Sequence, residues 1–149
     1  MLYLAADHGG FRLKENLKRR LAKAGFTFRD FSSSQATLND DYPILAGRVA
    51  AKVSQGSNDR GLLLCRSGVG MGIVANKFRG VRAVVASDVW TARRSRRDEN
   101  VNVLTLPAER LAGPAAWAIV RAWLAQPFRN AARDRRRLRQ LQRFERGRR

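Results

Sequence analysis

Short apolar runs alternate with helical stretches along almost the whole chain, and this alternation restricts the fold more than any other feature. Leu2 to Ala6, Thr27 to Phe31, Gly61 to Cys65, Arg82 to Ser87 and Val101 to Leu106 read as five strands. Between the first two, Leu13, Leu17 and Leu21 recur at i, i+4 and i+8, with Lys14, Lys18, Arg19 and Lys23 off that stripe. This is the period of an amphipathic helix, and Gly25 ends it. Leu45, Val49 and Val53 mark a second helix after Pro43, and Gly68 to Gly72 opens a third. Another, rich in Ala and Trp, is expected from Pro114 to Leu124. Strands joined through helices imply crossover connections, so the expected fold is α/β, a three-layer αβα sandwich around a five-stranded parallel sheet. In such sheets ligands bind at the carboxyl ends of the strands. Asp7 and His8 follow strand one, Cys65 closes strand three and Asp88 follows strand four, which makes these the first candidates for chemistry.

A chain of 149 residues suits one domain. No apolar run reaches the roughly 18 residues of a membrane span, and the opening MLYLAAD lacks the pattern of a signal peptide, so a cytoplasmic protein without a membrane partner is expected. A single Cys and a single His exclude an internal disulfide and a zinc site built from Cys and His. Lys plus Arg total 30 against 12 acids, a net charge of +18, which invites a nucleic-acid reading. The excess is uneven. Residues 129–149 hold ten Arg against Asp134 and Glu145, and the rest of the chain is only moderately basic. In that tail Leu138, Leu141 and Phe144 recur at three-residue spacing, so it reads as a helix with one apolar seam, pinned to the body or to a second subunit. Residues 1–127 are read as the main domain and 128–149 as an Arg-rich helical tail of the same domain.

The segment Cys65-Arg66-Ser67-Gly68-Val69-Gly70-Met71-Gly72 joins a strand to a helix. Its glycines allow close backbone approach to a ligand, and the free N–H groups of a helix start favour an anion. Cys65 beside that helix start is expected to favour the thiolate, although a lone Cys closing an apolar run is also a common core residue. Gly70 to Ala75 fits the dinucleotide pattern G-x-G-x-x-A, with Asp88 eighteen residues beyond Gly70. The four residues between Cys65 and Gly70 count against that reading, because the fingerprint turn normally follows its strand at once. The polar stretch Ser32 to Asp41 reads as an active-site loop.

Asp7-His8-Gly9-Gly10-Phe11 with Leu13-Lys14, then Asp41-Tyr42-Pro43, Cys65 with Ser67-Gly68-Val69-Gly70, Ala75-Asn76-Lys77 and Asn102-Val103-Leu104 stand in one order along the chain. Together they resemble the ordered signature of the type B ribose-5-phosphate isomerases and galactose-6-phosphate isomerase subunits. The resemblance implies a Rossmann-like aldose–ketose isomerase of a phosphorylated sugar. It further implies no metal or other cofactor, and a homodimer, or dimer of dimers, with active sites at the subunit interface. Carried over position by position, Cys65 resembles the base that takes the C2 proton and Ser67 the hydroxyl that assists ring opening and proton traffic. The backbone of Gly68, Val69, Gly70 and Met71 resembles the enediolate hole. Asp7 resembles a residue bonding a substrate hydroxyl, and His8 and Tyr42 resemble residues lining the sugar-phosphate site. Arg133 and Arg137 match a phosphate-binding pair, and Arg110 a further Arg of the site. Arg residues at i and i+4 on a helix project from one face, which suits a shared phosphate.

Two positions depart from that signature. Asp98-Glu99 stand where the family carries His-Asn, the His being its ring-opening group, and Arg66 stands where the residue after the base is Gly. Asp98 is therefore read as the catalytic counterpart of that His and Glu99 as a binding residue. Arg66 could lower the thiol's pKa, add an anion contact or crowd the sugar. The alternatives are a catalytically impaired relative that binds sugar phosphate or nucleic acid, and a dinucleotide-binding oxidoreductase.

Overall fold

The computed structural model describes residues 1–32, 40–56 and 58–146. Five parallel strands, β1 (Leu2–Ala6), β2 (Phe28–Asp30), β3 (Arg60–Cys65), β4 (Ala83–Val85) and β5 (Val103–Pro107), form one sheet in the order β2-β1-β3-β5-β4. Helices α1 (Phe11–Lys23), α2 (Tyr42–Gln55), α3 (Val69–Ala75), α4 (Val89–Glu99) and α5 (Gly113–Ala125) connect or flank them, and α6 (Ala132–Arg146) ends the described chain. All five expected strands are present, with β2 and β4 shorter than their apolar runs suggest. Most of the expected loop from Ser32 to Asp41, and the last residues of the basic tail, lie outside the described residues.

Period-two alternation along β3 divides the core in two. Leu62 and Leu64 pack with Leu17, Leu21, Ile119 and Trp123 of α1 and α5, whereas Leu63 and Cys65 pack with Val49, Ala50, Met71 and Ala75 of α2 and α3. Helices α1, α4 and α5 thus cover one face, and α2 and α3 the other. Because α1 leaves β1 toward the first face and α3 leaves β3 toward the second, a crevice opens at the carboxyl ends of these neighbouring strands.

The segment after β4 is helical although it carries no apolar stripe. Ala92 is the only fully buried side chain of α4, so burial left almost no periodic trace there. Asp88 is its N-cap, with Oδ1 accepting the Thr91 N–H at 2.7 Å and Oδ2 the Thr91 hydroxyl at 2.8 Å. Those bonds occupy the carboxylate that stood with the dinucleotide pattern, and they hold its pKa below the ordinary value. Returning along the sheet, α4 ends at the amino end of β4, where Arg82 Nε donates to the carbonyls of Glu99 (3.0 Å) and Asn100 (3.1 Å).

The tail helix α6 lies at this amino end. Arg129 grips Asp134 through Nε (2.7 Å) and a terminal nitrogen (2.8 Å), and Gly80 N–H donates to Glu145 at 3.2 Å near the other end of the helix. The apolar seam is only partly covered by the body: Leu138 is half-buried, but Leu141 is 44% exposed and Phe144 76%. No helix among the described residues is long and apolar enough to cross a membrane.

Candidate active site

Cys65 is the last residue of β3, 6% exposed, with its sulfur turned toward the α2 and α3 layer. The chain then passes through Gly68, the N-cap of α3, at φ +74°. This turn aims the Gly68 N–H back at Cys65 Sγ, 3.1 Å away. A side chain there would be strained by the positive φ and would also meet Val85 Cγ1, Leu106 C and Pro107 N at 3.1–3.2 Å, so the turn requires glycine. The Val69 N–H donates to Ser67 Oγ at 3.3 Å, leaving the Ser67 hydroxyl proton available. Gly72 N–H is the first to bond back into the helix, to Gly68 O at 3.3 Å, so the N–H groups of Gly70 and Met71 precede the intrahelical ladder. Tyr42, the first residue of α2, lies against Gly70: a Cβ on Gly70 would sit 2.7 Å from its ring.

On the β1 side of the crevice, Asp7 is buried and its Oδ1 accepts the Gly10 N–H at 2.9 Å, which closes the turn into α1. Asp40 Oδ1 accepts the His8 backbone N–H at 3.0 Å and lies 3.0 Å from His8 Nδ1. This carboxylate fixes the ring and leaves Nε2 for a ligand. The end of β1 is braced from below. Ser32 Oγ accepts the Ala6 N–H (3.2 Å) and donates to Asp30 (2.7 Å), whose other oxygen meets the fully buried Lys14 at 2.7 Å. Lys14, Lys18 and Ser32 together hold the Asp30 carboxylate below its ordinary pKa against the opposing effect of burial. Across β3, exposed Arg110 follows Pro107, with its N–H on the Pro107 carbonyl at 3.0 Å. One end of the sheet therefore gathers Asp7, His8, Tyr42, Cys65, Ser67, Gly68, Val69, Gly70, Met71 and Arg110.

Four expected site residues are elsewhere in this chain. Asp98 and Glu99 occupy the last turn of α4, and Arg133 and Arg137 lie on α6, all at the opposite, amino end of the sheet. Asp98 is only 11% exposed and is clamped by Arg94, by Arg97 Nε at 2.9 Å and by Arg129 at 3.4 Å. The Arg97 hydrogen bond, followed by the charges of Arg94, Arg97 and Arg129, lowers its pKa, so the carboxylate is ionised at neutral pH. Sequence reading did not anticipate this cage, because Arg129 is distant in the chain and α4 shows no stripe to orient its arginines. It also missed the His8–Asp40 pair, whose acid belongs to the polar stretch read only as a loop. No group of three or more His, Cys, Asp or Glu among the described residues is arranged to hold a metal.

Sequence comparison matches residues 2–141 to the family model described as Ribose/Galactose Isomerase. Ribose-5-phosphate isomerase B of Escherichia coli K12 is 38% identical over 122 residues, covering 82% of this chain and 81% of the relative. D-erythrulose-4-phosphate isomerase of Pectobacterium atrosepticum is 36% identical over 125 residues, covering 84% and 82%. In structure, ribose-5-phosphate isomerase B of Mycoplasma genitalium with bound ribulose-5-phosphate superposes with a TM-score of 0.93 at 34% identity, over 98% of this chain and 96% of that one. With a family model matched over residues 2–141, relatives more than 30% identical over four fifths of their length and a superposition over nearly the whole fold, the chain belongs to the ribose/galactose isomerase family and is a sugar-phosphate isomerase.

Proposed function

We propose that the chain interconverts an aldose phosphate and a ketose phosphate through an enediolate, with Cys65 as the base. Isomerisation removes a proton from the carbon beside a carbonyl, so it needs one base and a means of stabilising the charge that develops on oxygen. Cys65 Sγ takes the proton from C2, the C2 electron pair moves into the C1–C2 bond, and O1 becomes the oxyanion. The N–H groups of Gly70 and Met71 meet that oxygen, Ser67 moves the proton between O1 and O2, and the proton returns at C1. Asp7 and His8 hold substrate hydroxyls and phosphate, Tyr42 walls the site, and Arg110 adds a cation. The observation that carries this reading is Cys65 at the end of β3 with the Gly68 turn folded onto its sulfur.

The remaining residues reach the site from a second copy of the chain. Asp98, Glu99, Arg133 and Arg137 lie at the far end of the sheet from Cys65, so one chain cannot assemble them all. A two-fold dimer places the amino end of one sheet against the carboxyl end of the other. Exposed apolar side chains support it: Tyr42, Ile44, Val69 and Ile73 beside the Cys65 end, and Leu141 and Phe144 on α6. Residues 1–127 with the 128–149 tail act as one domain in this scheme, the tail crossing to the neighbour.

Asp98 favours a second reading of the substrate's length. An ionised carboxylate held by three arginines accepts hydrogen bonds but cannot donate a proton to a ring oxygen. A four-carbon sugar phosphorylated at O4 closes no furanose ring and needs no such donor, nor does a 2-ketopentose 5-phosphate. Relatives named for ribose 5-phosphate and for D-erythrulose 4-phosphate are similar to this chain to nearly the same degree. Turnover is expected to be faster from the open-chain aldose erythrose 4-phosphate than from cyclic ribose 5-phosphate.

Proton NMR in deuterated water tests the mechanism. Solvent deuterium is expected at the carbon alpha to the product carbonyl, and Cys65→Ala should lower kcat at least about 10²-fold while still binding substrate. Near-normal turnover by Cys65→Ala removes the thiol from the mechanism.

A further inference from the structure

We propose that Arg66 grips the substrate's phosphate at the rim of the site, and that Glu109 holds its guanidinium in reserve until substrate arrives. The inference rests on the isomerase reading above and extends it to a residue that reading leaves without a task.

Successive residues leaving β3 diverge: Cys65 turns toward the α2 and α3 layer, while Arg66 lies across Gly9 and reaches toward Glu109. A Cβ on Gly9 would come 2.5 Å from Arg66 Cγ, so the arginine stem rests directly on the turn that follows His8. On its other side the backbone is fixed, with the Ala108 N–H on Cys65 O at 2.9 Å and the Glu109 N–H on Arg66 O at 3.1 Å. Arg66 therefore bridges the turn carrying His8 and the turn carrying Arg110, at the carboxyl ends of β1 and β5. Its orientation disposes of the other two roles considered for it. The side chain leans away from the thiol and does not cover the face on which Cys65 and the α3 N–H groups lie.

The charged ends are far less constrained than the backbone beneath them. Arg66 Nε stands 3.7 Å from Glu109 Oε1, beyond hydrogen-bond range, and the two side chains are 67% and 59% exposed. An ion pair this open contributes little, whereas a guanidinium on a phosphate makes two short, charge-assisted hydrogen bonds. Exchange of Glu109 for a dianionic phosphate is therefore favourable and breaks nothing in the fold. The other nearby acid, Asp7, is engaged by the Gly10 N–H. A groove of about 340 Å³, lined in part by Gly9, Arg12, Ala108 and Leu111, opens beside the two turns that Arg66 bridges.

Steady-state kinetics with ribulose 5-phosphate and erythrose 4-phosphate, each against its unphosphorylated sugar, test the exchange. Arg66→Gly is expected to raise KM for the phosphorylated sugars about tenfold, to leave kcat within about twofold, and to leave the unphosphorylated sugars unaffected. Arg66→Lys should recover part of the loss, as a point charge without the fork. Glu109→Gln should lower KM, because the competitor is gone, and should have no such effect once Arg66 is Gly. An unchanged KM in Arg66→Gly, or a Glu109→Gln effect that persists in the double variant, overturns the proposal while leaving the isomerase reading intact. Absence of turnover by the unaltered protein on every sugar phosphate defeats the isomerase reading itself, and the proposal with it. Calorimetric titration with ribulose 5-phosphate, each variant carried in a Cys65→Ala background that binds without turnover, reports the same order of affinities without chemistry.

Discussion

Replacing Gly68 by Ala separates two costs that the fold imposes on one residue. The left-handed backbone, φ +74°, costs an L side chain about 1–2 kcal/mol. The added methyl also meets Leu106 C and Val85 Cγ1 at 3.1 Å and Pro107 N at 3.2 Å, and two of these are backbone atoms of the β5 end that cannot swing away. Overpacking of that kind costs about 1–3 kcal/mol. The total, about 2–5 kcal/mol, is a large share of the 5–15 kcal/mol typical of a domain, and should lower Tm on the order of 10 °C at this chain length. Gly25 supplies the control, with φ +77° and no atom within 4 Å of a built Cβ, so Gly25→Ala should lose only about 1 kcal/mol. Urea titrations followed by circular dichroism measure both, and kcat should fall in Gly68→Ala because the donor aimed at Cys65 moves. A Gly68→Ala midpoint no lower than that of Gly25→Ala would refute the steric argument.

Further outcomes follow from the amino end of the sheet. If two copies share the site, then Cys65→Ala and Arg137→Ala chains, each nearly inactive, should recover about a quarter of native activity when mixed and exchanged, since half the dimers are hybrids with one intact site. Ala at Leu141 and Phe144 together should shift the dimer toward monomer by analytical ultracentrifugation, with loss of activity in parallel. The Arg129 fork holds Asp134 down to about 2, so the stability this pair contributes is present above about pH 4 and lost as pH falls toward 2. A carbon-detected NMR titration should place the Asp134 midpoint there, and Arg129→Ala should return it toward the ordinary carboxylate range. Asp98→His replaces a carboxylate that can only accept by an imidazole able to give and take a proton near neutral pH, and should raise the rate on ribose 5-phosphate more than on erythrose 4-phosphate.

What could be read from the chain, and what could not, follows from how strongly burial marks a segment. The central strands are buried on both faces, and α1 buries Leu13, Leu17 and Leu21 in a straight stripe, so the αβα layering is visible in the pattern of leucines alone. The Cys65 turn was legible for a related reason: a strand, a run of glycines and a helix start leave little freedom in where the sulfur and the N–H groups lie. Helix α4 left no such trace, because Ala92 is its only fully buried side chain and its arginines are divided between exposed Arg93 and Arg94 and half-buried Arg96 and Arg97, and so the cage around Asp98 stayed hidden. The seam of α6 could be read but not its cover, since Leu141 and Phe144 meet solvent in a single chain. Topology would have supplied one missing step. In a parallel sheet every residue that closes a strand lies at one end and every residue that shortly precedes a strand lies at the other. Cys65 closes β3, Asp98 shortly precedes β5, and the crossover between them spans the sheet. A chain that needs both groups in one reaction must therefore borrow one of them from a neighbour, and the exposed seam of α6 is the physical means by which a neighbour would be held.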